Sequence, residues 1–563
     1  MSRNRWTLVL VLTCIALAII MQVPQFLHMR HPLFQGRLIE LNDDEPAYLA
    51  RVEEALMGRP EQVEEAFVGD PTMVGMHFAF IEKLYGYLFS WTGLHAPVFL
   101  QIEDSVIPVL LFLALFAFFR LCGFSRAKSY GGCLVFLLVS LYYLDRPINQ
   151  RTTSLFMMMS LISVILALER HALYGVVAGI LLAILLDVYF WSWTFAYAFC
   201  ALLLLFEIIL WKKSKNEEEE VYHARRIRIL LMTAAITLLA AISISIKIWA
   251  MLHHPMIDAG NLRAGYTYSR LPVSWVYSIL FFGMTAGALF WTTKHGSLKK
   301  KPYAMLMILT GFVVMHQQVI HGIEFRTVAG YQFSHIFAAI AALLLSLGYA
   351  PPLRSLSLAM LRTKKGWLQA ISLIPILFAI IFLLGKLVDN HRVTRQWIVN
   401  ESAFSGQHLA TSLPLLRSMP RARFVAPVGP AYFLAAYTNH DVVYGYFLKN
   451  VLISNEELAE RWCLANLGFP LMYRNITPGQ TLLYNDTTRL RNDPSLRTEE
   501  EHIVREACTR IEANPPLYLK KYDVDFLFWS EKEHPTMQIE QYGKNLTKTA
   551  AGEGWSLWKI PRK

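Results

Sequence analysis

The chain has 563 residues, of which 55% are hydrophobic and 17% are charged, whereas an ordinary soluble protein has about 25% charged residues. Together with a mean hydropathy of +0.36, this excludes a purely soluble protein and indicates one that is integral to a membrane. The net charge of +11 does not indicate nucleic-acid binding, because the basic residues lie in short clusters between apolar segments, as in cytoplasmic loops.

Apolar runs bounded by charge predict about eleven transmembrane helices and therefore a mainly α-helical polytopic membrane protein. The first run follows Arg3 and Arg5, is long, and lacks a small-residue cleavage site. We interpret it as an uncleaved helix rather than a signal peptide. The predicted segments are 6–26, 98–119, 130–144, 154–169, 172–189, 191–211, 229–252, 273–292, 303–320, 331–350 and 368–388.

Four basic clusters give the predicted topology. With eleven spans and a cytoplasmic N-terminus, all four fall in cytoplasmic loops, as the positive-inside rule requires, and the C-terminal domain is extracytoplasmic. An even number of spans would move that domain to the cytoplasm. The clusters lie within 120–128, 212–228, 294–301 and 354–365.

The composition changes near residue 389, which predicts two domains. Residues 1–388 form the transmembrane domain, with a long outer loop at 28–97, and residues 389–563 form a mixed α/β soluble domain. Cys463 and Cys508 are the two cysteines of this second domain, and the sequence leaves open whether they form a disulfide.

An acidic motif opens the outer loop. Asp43, Asp44 and Glu45 come just before a predicted helix, on which Tyr48 and Arg51 share a face with Asp44. Three consecutive acids exceed what a helix cap requires, so we favour a functional site. The alternative is a capped amphipathic helix on the membrane surface.

A second charged turn follows the third span. Asp145 and Arg146 lie where a helix ends close to the bilayer, a position where charges tend to be paired or functional. A simple ion pair closing a tight turn is an equal alternative.

A third outer loop carries Arg263 and Arg270, each with a side chain suited to bidentate phosphate binding. Its tyrosines are also typical of an aromatic belt at the membrane interface, which is the alternative interpretation.

A fourth polar stretch lies at the outer end of a later span and contains His316, Gln317, His321, Glu324 and Arg326. Such polar groups are unfavourable at the membrane face unless they line a cavity. We expect His316, Gln317 and His321 to contact a diphosphate or sugar. A structural hydrogen-bond network between helices is the rival explanation.

All four clusters fall on the same predicted side of the membrane, which suits a lipid-linked anionic substrate. A carboxylate there can act as a general base toward an acceptor, or it can hold a divalent metal against phosphate. Asp44 and Asp145 are the candidate metal ligands, for Mg²⁺ or Mn²⁺.

The order of these parts resembles the GT-C superfamily of polyprenyl-phosphate-dependent glycosyltransferases, which includes oligosaccharyltransferase catalytic subunits and protein mannosyltransferases. The resemblance covers nearly the whole chain, and its shorter motifs resemble those of bacterial members. It rests on the acidic motif after the first span, the second acidic turn and a set of shorter motifs. These are Arg146-Pro-Ile-Asn-Gln, Phe190-Trp-Ser-Trp, the loop with Arg263 and Arg270, His316-Gln-Gln with His321-Gly, and the tail motifs Tyr522-Asp-Val-Asp-Phe-Leu-Phe and Gly554-Trp-Ser-Leu-Trp.

The resemblance implies a catalytic role for Asp44, with Asp43 as the alternative register, and places Asp145 as a second acid that orients substrate or metal. It implies phosphate binding by Arg263, Arg270 and Arg326, and it supports substrate contacts for Glu45, Tyr48 and Arg146. The tail lacks the WWDYG motif of oligosaccharyltransferases, so asparagine-linked transfer is not implied.

The resulting hypothesis is an inverting glycosyltransferase of a bacterial inner or plasma membrane. It would take a sugar from a polyprenyl-phosphate-linked donor and give it to a lipid, glycan or protein acceptor on the outer face. One rival is a transporter or flippase, favoured by Glu103, Asp104 and Asp187 within apolar segments. Another is a non-catalytic membrane scaffold.

Overall fold

The structure is a computed structural model. It describes residues 3–40, 45–60, 75–76, 79–140, 147–271, 274–294, 302–324, 332–347, 373–399, 404–469, 483 and 493–561.

Helices dominate the chain up to residue 399. The first are α1 (Arg3–Met29), α2 (Glu45–Leu56), α3 (Phe80–Phe89), α4 (Ala96–Leu121), α5 (Arg126–Ser140), α6 (Thr153–Glu169), α7 (Leu173–Leu186), α8 (Phe190–Lys212), α9 (Glu217–Ala240), α10 (Ile242–Leu252) and α11 (Ile257–Ala264). They are followed by α12 (Trp275–Lys294), α13 (Pro302–Met315), α14 (Gln317–His321), α15 (Gln332–Ser346) and α16 (Ile374–Val399), with a small sheet of β1 (Thr267–Tyr268) and β2 (Ile323–Glu324).

Within the described residues, four helices are long and apolar enough to cross a membrane: Asn4–Met29, Ala96–Leu121, Gln150–Glu169 and Phe190–Lys212. The pair α9 and α10, bent by 59° at a short break, makes a fifth if it is counted as one span. The prediction of a helical membrane protein is confirmed in this coarser form. Every predicted segment overlaps a helix, but eleven crossings are not shown, so the number of spans stays a prediction.

The chain forms two compact units. The first consists of Met1–Met21, Asp104–Ile246 and Tyr268–Ile398, and the second of Gln22–Glu103, Lys247–Thr267 and Val399–Lys563. The segment that contains α2 and α3 therefore belongs to the same unit as the C-terminal residues. The predicted boundary at residue 388 stays a prediction.

Small residues bring helices of the first unit together. A Cβ atom at Gly179 of α7 would lie 2.7 Å from the Ile236 side chain of α9, and one at Gly175 would lie 2.9 Å from Thr233. Both glycines are buried. Close approach at small residues is the usual way in which helices pack within a membrane, where burial of apolar surface gives no net driving force between helices.

One ionic network, centred on the buried Arg226, joins four helices of the first unit. Arg226 of α9 donates to Glu207 of α8 and to Glu169 of α6, both at 2.9 Å, and to the hydroxyl of Tyr303 of α13 at 2.8 Å. His223 lies 2.7 Å from Glu207. Since Arg226 and Glu207 are almost fully buried, their pairing offsets the desolvation of both charges.

The C-terminal part of the second unit is a mixed α/β domain, as predicted in outline. Its five-stranded sheet has the order β4-β3-β5-β7-β6, with β3 parallel to β4 and β5, and β7 antiparallel to β5 and β6. The strands are β3 (Arg423–Val425), β4 (Asp441–Val442), β5 (Phe526–Ser530), β6 (Thr547–Gly552) and β7 (Trp555–Lys559), and the helices are α17 (Leu413–Ser418), α18 (Val428–Tyr437), α19 (Asn455–Ala465), α20 (Pro494–Ala513) and α21 (Pro515–Lys521).

Cys463 of α19 and Cys508 of α20 form a disulfide, which settles the alternative that the sequence left open. Both residues are buried. The bond closes a loop with a sequence separation of 45 residues and holds two neighbouring helices together.

Candidate functional site

Five predicted site residues lie outside the described residues: Asp43, Asp44, Asp145, Arg146 and Arg326. Glu324 lies in β2, where only its backbone is described. The roles predicted for these residues stay predictions, and the structure bears on the site through the residues that flank them.

The helix that follows the first acidic motif is buried within the second unit. All twelve residues of α2 are buried, including Glu45 and Tyr48. The carboxylate of Glu45 is close enough to act electrostatically on Tyr437 of α18, whose pKa is raised by burial and by nearby carboxylates. The alternative of an amphipathic helix on the membrane surface is therefore wrong, because protein covers α2 on every side.

Ion pairs hold α2 against its neighbours in sequence. Arg51 lies 3.2 Å from Glu82 of α3, and both are buried. Glu53 accepts a hydrogen bond from the backbone N–H of Ala96 at 2.7 Å and lies 2.7 Å from Nδ1 of His95. Glu53 thus caps the first turn of α4 and ties α2 to the start of a candidate span.

Glu54 connects α2 to the C-terminal domain. Its carboxylate pairs with Arg59 at 2.6 Å and with Arg421 at 3.4 Å, and Arg421 also binds Asp441 of β4 at 2.6 Å. Burial raises the pKa of Glu54, although the two arginines act to lower it. α2 is thus held by contacts to α3, to α4 and to the C-terminal domain. Such support would keep a group at the N-terminus of α2 in a constant position.

The segment after the second charged turn is strained. Residues Pro147–Thr152 form a π-helical turn, a rare conformation that is frequent at functional sites. Gln150 is buried and has a φ of 76°, and its backbone N–H donates to Thr153 Oγ1 at 3.0 Å. A positive φ is unfavourable for a residue with a side chain, so the surrounding structure must impose it.

The same turn supplies a buried charge. Arg151 is 0% exposed, and its Nη1 donates to Oδ1 of Asp104 on α4. The sequence drew attention to Asp104 but not to its partner. Both residues belong to candidate spans, where an ion pair is unfavourable unless it serves a structural or functional need.

Glu103, the neighbour of Asp104 in α4, has a different environment. It is buried and accepts a hydrogen bond from the hydroxyl of Tyr85 of α3 at 2.8 Å. Glu103 was one of the acids that favoured a transporter. In the structure it joins α3 to α4.

Arg263 is completely buried in the second unit, and each of its donating nitrogens meets an uncharged oxygen. Nε donates to the carbonyl of Lys449 at 3.0 Å, Nη2 to the carbonyl of Val451 at 2.8 Å, and Nη1 to Oδ1 of Asn455 at 2.9 Å. In this arrangement Arg263 fixes the segment before α19, and phosphate binding by its guanidinium would require these bonds to break.

Arg270 and His321 are brought together in the first unit. Nη1 of Arg270 donates to the carbonyls of Val319 and Ile320, each at 3.1 Å, and the positive charge of Arg270 acts on His321. Both side chains are exposed. Arg270 thus neutralises the carbonyl end of α14 while remaining accessible from outside the protein.

His316 links two helices. Its Nε2 lies 2.9 Å from the hydroxyl of Ser278 on α12, and its Nδ1 lies 2.8 Å from the carbonyl of Phe312. Gln317 begins α14 and is partly exposed. The rival interpretation of a hydrogen-bond network between helices thus describes the contacts of His316, whereas the substrate role of Gln317 stays a prediction.

Sequence reasoning missed His335 and Lys386 of the first unit. His335 of α15 is buried against the ring of Phe281, within electrostatic reach of Lys386 and His316. Lys386 of α16 is also buried, with Nζ 5.5 Å from the centre of the Tyr277 ring. The signal in the sequence that could have identified this site was Lys386 itself, which interrupts an apolar run.

The C-terminal domain contains a cavity of about 540 Å³ beside α21. Its charged lining residues are Lys520, Asp523 and Lys544, and no predicted site residue lines it. Within the described residues, no group of three or more His, Cys, Asp or Glu side chains is arranged to hold a metal. The predicted ligands Asp44 and Asp145 lie outside that part of the chain.

Comparison with protein families and with curated proteins found no match to this chain.

Proposed function

We propose that the protein is a membrane glycosyltransferase that uses a polyprenyl-phosphate-linked sugar. The observation that carries this proposal is the Asp104–Arg151 pair beside the strained turn 147–152. In the sequence, this turn and Arg151 follow shortly after the second predicted acid, Asp145. A strained backbone and a buried ion pair in candidate spans both favour a functional site over a simple connection.

The length of α4 supports a position of this pair close to one face of the membrane. Asp104 is 16 positions before Arg120, or about 24 Å along the helix at about 1.5 Å per residue. A bilayer core is roughly 30 Å thick. With Arg120 at one headgroup layer, Asp104 is close to the opposite layer, which is the depth of a lipid-linked phosphate.

The disulfide supports the proposed sidedness. Disulfides such as Cys463–Cys508 persist in oxidising compartments and are rare in the cytosol. A C-terminal domain outside the cytoplasm agrees with the basic clusters of the sequence, and it is where a lipid-linked donor would meet an envelope acceptor.

The proposed reaction is a single displacement. A nucleophilic oxygen or nitrogen of the acceptor attacks the anomeric carbon, whose bond to the phosphate oxygen breaks with inversion. The electron pair leaves with the lipid phosphate, and the proton of the acceptor goes to the carboxylate of Asp44. Asp145 orients the reacting groups, and Arg270, which is exposed beside His321, is available to the phosphate.

The test is mass spectrometry of lipid-linked sugars and surface glycans in cells that produce the parent protein, Asp44→Asn or Asp43→Asn. We expect Asp44→Asn to abolish transfer and to accumulate a polyprenyl-linked sugar, while Asp43→Asn stays active. The reverse result would assign catalysis to Asp43. Full transfer by both variants, each present in the membrane at parental amounts, would refute the role of this motif.

A flippase is the second candidate, favoured by the bend of 59° between α9 and α10. Transporters build their substrate sites from broken helices. In that case Asp44→Asn would leave glycan transfer intact. Loss of the whole protein would instead make the lipid-linked sugar build up on the cytoplasmic side, where externally added glycosidase cannot reach it.

A further inference from the structure

The end of α3 exposes a neutral apolar surface. Tyr87, Leu88 and Trp91 form this patch, and Trp91 is 82% exposed although its Nε1 already donates to the carbonyl of Leu88 at 2.7 Å. Single exposed hydrophobic residues are common on soluble proteins. Three within five positions, including an almost fully exposed indole, are unusual without a covering partner.

The contacts of α3 connect the patch to a candidate span. The rings of Tyr85 and Phe89 lie 4.9 Å and 5.2 Å from the ring of Phe99, in the first turn of α4. Trp91 is five residues before the start of α4 at Ala96. The patch therefore lies at the level of the first turns of this span.

One side of α4 is exposed and apolar along most of its length. Its exposed residues recur every three or four positions, which places them on one helix face. They are Val98, Ile102, Val106, Leu110 and Leu113. Since α4 is long and apolar enough to cross a membrane, lipid chains are the expected neighbours of this stripe, and the patch begins where the stripe begins.

The length of α4 gives the depth of the patch. Phe99 is 21 positions from Arg120, or about 31 Å, just beyond a hydrocarbon core of roughly 30 Å. This is the interfacial layer, where tryptophan and tyrosine are enriched because their rings are amphipathic.

We infer that the patch Tyr87–Leu88–Trp91 inserts into the interfacial layer of the bilayer, so that α3 is a membrane-surface anchor. The patch carries no charge, so insertion does not depend on anionic lipids. α3 also packs tightly on α2, since a Cβ atom at Gly86 would lie 2.7 Å from the carbonyl oxygen of Ala55. The anchor thereby holds α2 at a fixed depth.

The test uses the full chain in phosphatidylcholine nanodiscs with the photoreactive residue p-benzoylphenylalanine in place of Trp91. The matched control carries it in place of Arg497, an exposed residue of α20. After irradiation we expect several-fold more lipid adduct at position 91 than at the control. Equal, low yields at both positions would overturn the inference, and so would adducts to a second polypeptide in place of lipid.

A second measurement needs no photoreaction. A nitroxide on Leu88→Cys should collide readily with oxygen and poorly with a water-soluble nickel chelate, after subtraction of the signal of the labelled parent. A nitroxide on Arg497→Cys should show the opposite order. Equal access of the chelate to both positions would contradict membrane insertion, whether or not the protein transfers sugar.

Discussion

Arg151 and Asp104 are 47 positions apart in the sequence, yet the guanidinium of one donates directly to the carboxylate of the other. Arg151 is completely buried, and the side chain of Asp104 is 19% exposed. The pair joins the start of α6 to α4 and fixes the turn that follows the second predicted acid.

We expect Arg151→Met to destabilise the protein strongly, because it removes a buried guanidinium that compensates the desolvation of Asp104. Loss of one partner of a buried pair costs about 3–5 kcal/mol. The double variant Asp104→Leu/Arg151→Met should recover much of that loss. The measurement is the apparent melting temperature in detergent.

Arg170→Met at the other, exposed end of α6 is the matched control and should change stability by at most about 0.5 kcal/mol. If the ion pair also serves the proposed reaction, the double variant should be stable and inactive. Parental stability of Arg151→Met would show that the pair is not needed for the fold.

We expect Gly283→Ala to weaken the contact between α12 and α16. A Cβ atom at Gly283 would overlap the ring of Phe378, and overpacking of this kind costs about 1–3 kcal/mol. The measurement is monodispersity after heating of the detergent-solubilised protein. Truncation of the ring in Gly283→Ala/Phe378→Ala should restore part of the stability.

Gly385→Ala in α16 is the control, because a Cβ atom at this position meets nothing within 4 Å. It should be neutral or slightly stabilising, since alanine favours a helix over glycine by up to about 1 kcal/mol. Equal effects at Gly283 and Gly385 would argue against close packing of the two helices.

We expect Cys463→Ser to lower the stability of the C-terminal domain by about 3–4 kcal/mol, from the entropy that a closed loop of this length removes from the unfolded chain. Protease resistance of the domain would report the change. A reductant should reproduce the effect in the parent protein, whereas Cys200→Ser, at a free thiol, should keep the resistance of the domain. Equal resistance with and without the disulfide would contradict its stabilising role.

We expect Glu460→Gln to destabilise the protein at neutral pH and to have little effect in acid. Burial raises the pKa of Glu460, but hydrogen bonds from Lys521 at 2.5 Å and from Tyr522 at 2.8 Å outweigh it, so the net shift is downward. A carboxyl group whose pKa is lowered by folding stabilises the protein at pH values above its unfolded-state pKa. This stabilisation is lost as the pH falls below about 4.

The difference in melting temperature between the parent and Glu460→Gln should therefore shrink from pH 7 to pH 3. At neutral pH it should correspond to about 1 kcal/mol, because the partner Lys521 is half-exposed and solvent screens the pair. Glu499→Gln, at an exposed site of α20, should show no such trend. A difference independent of pH would mean that the charge of Glu460 is not what stabilises this contact.

The local content of the sequence determined much of the fold. Apolar runs bounded by charge located helices at every predicted segment, and the change of composition near residue 389 indicated the mixed α/β domain that contains β3 and β5. These properties depend on neighbouring residues, whose hydrophobicity and spacing decide whether a segment is buried as a helix or as a strand. The roles proposed for Asp44 and Asp145 are based on the sequence alone.

Tertiary structure decided which polar groups meet. Arg263 resembled a phosphate ligand in the sequence, but it binds carbonyls near residue 450. The acidic helix α2 could have covered a membrane surface, but its charges pair with α3, α4 and the C-terminal domain. Tertiary packing likewise pairs Arg151 with Asp104. A buried charge takes the partner that packing brings to it, because leaving it uncompensated costs several kcal/mol, and no pattern of neighbouring residues specifies a partner so far along the chain.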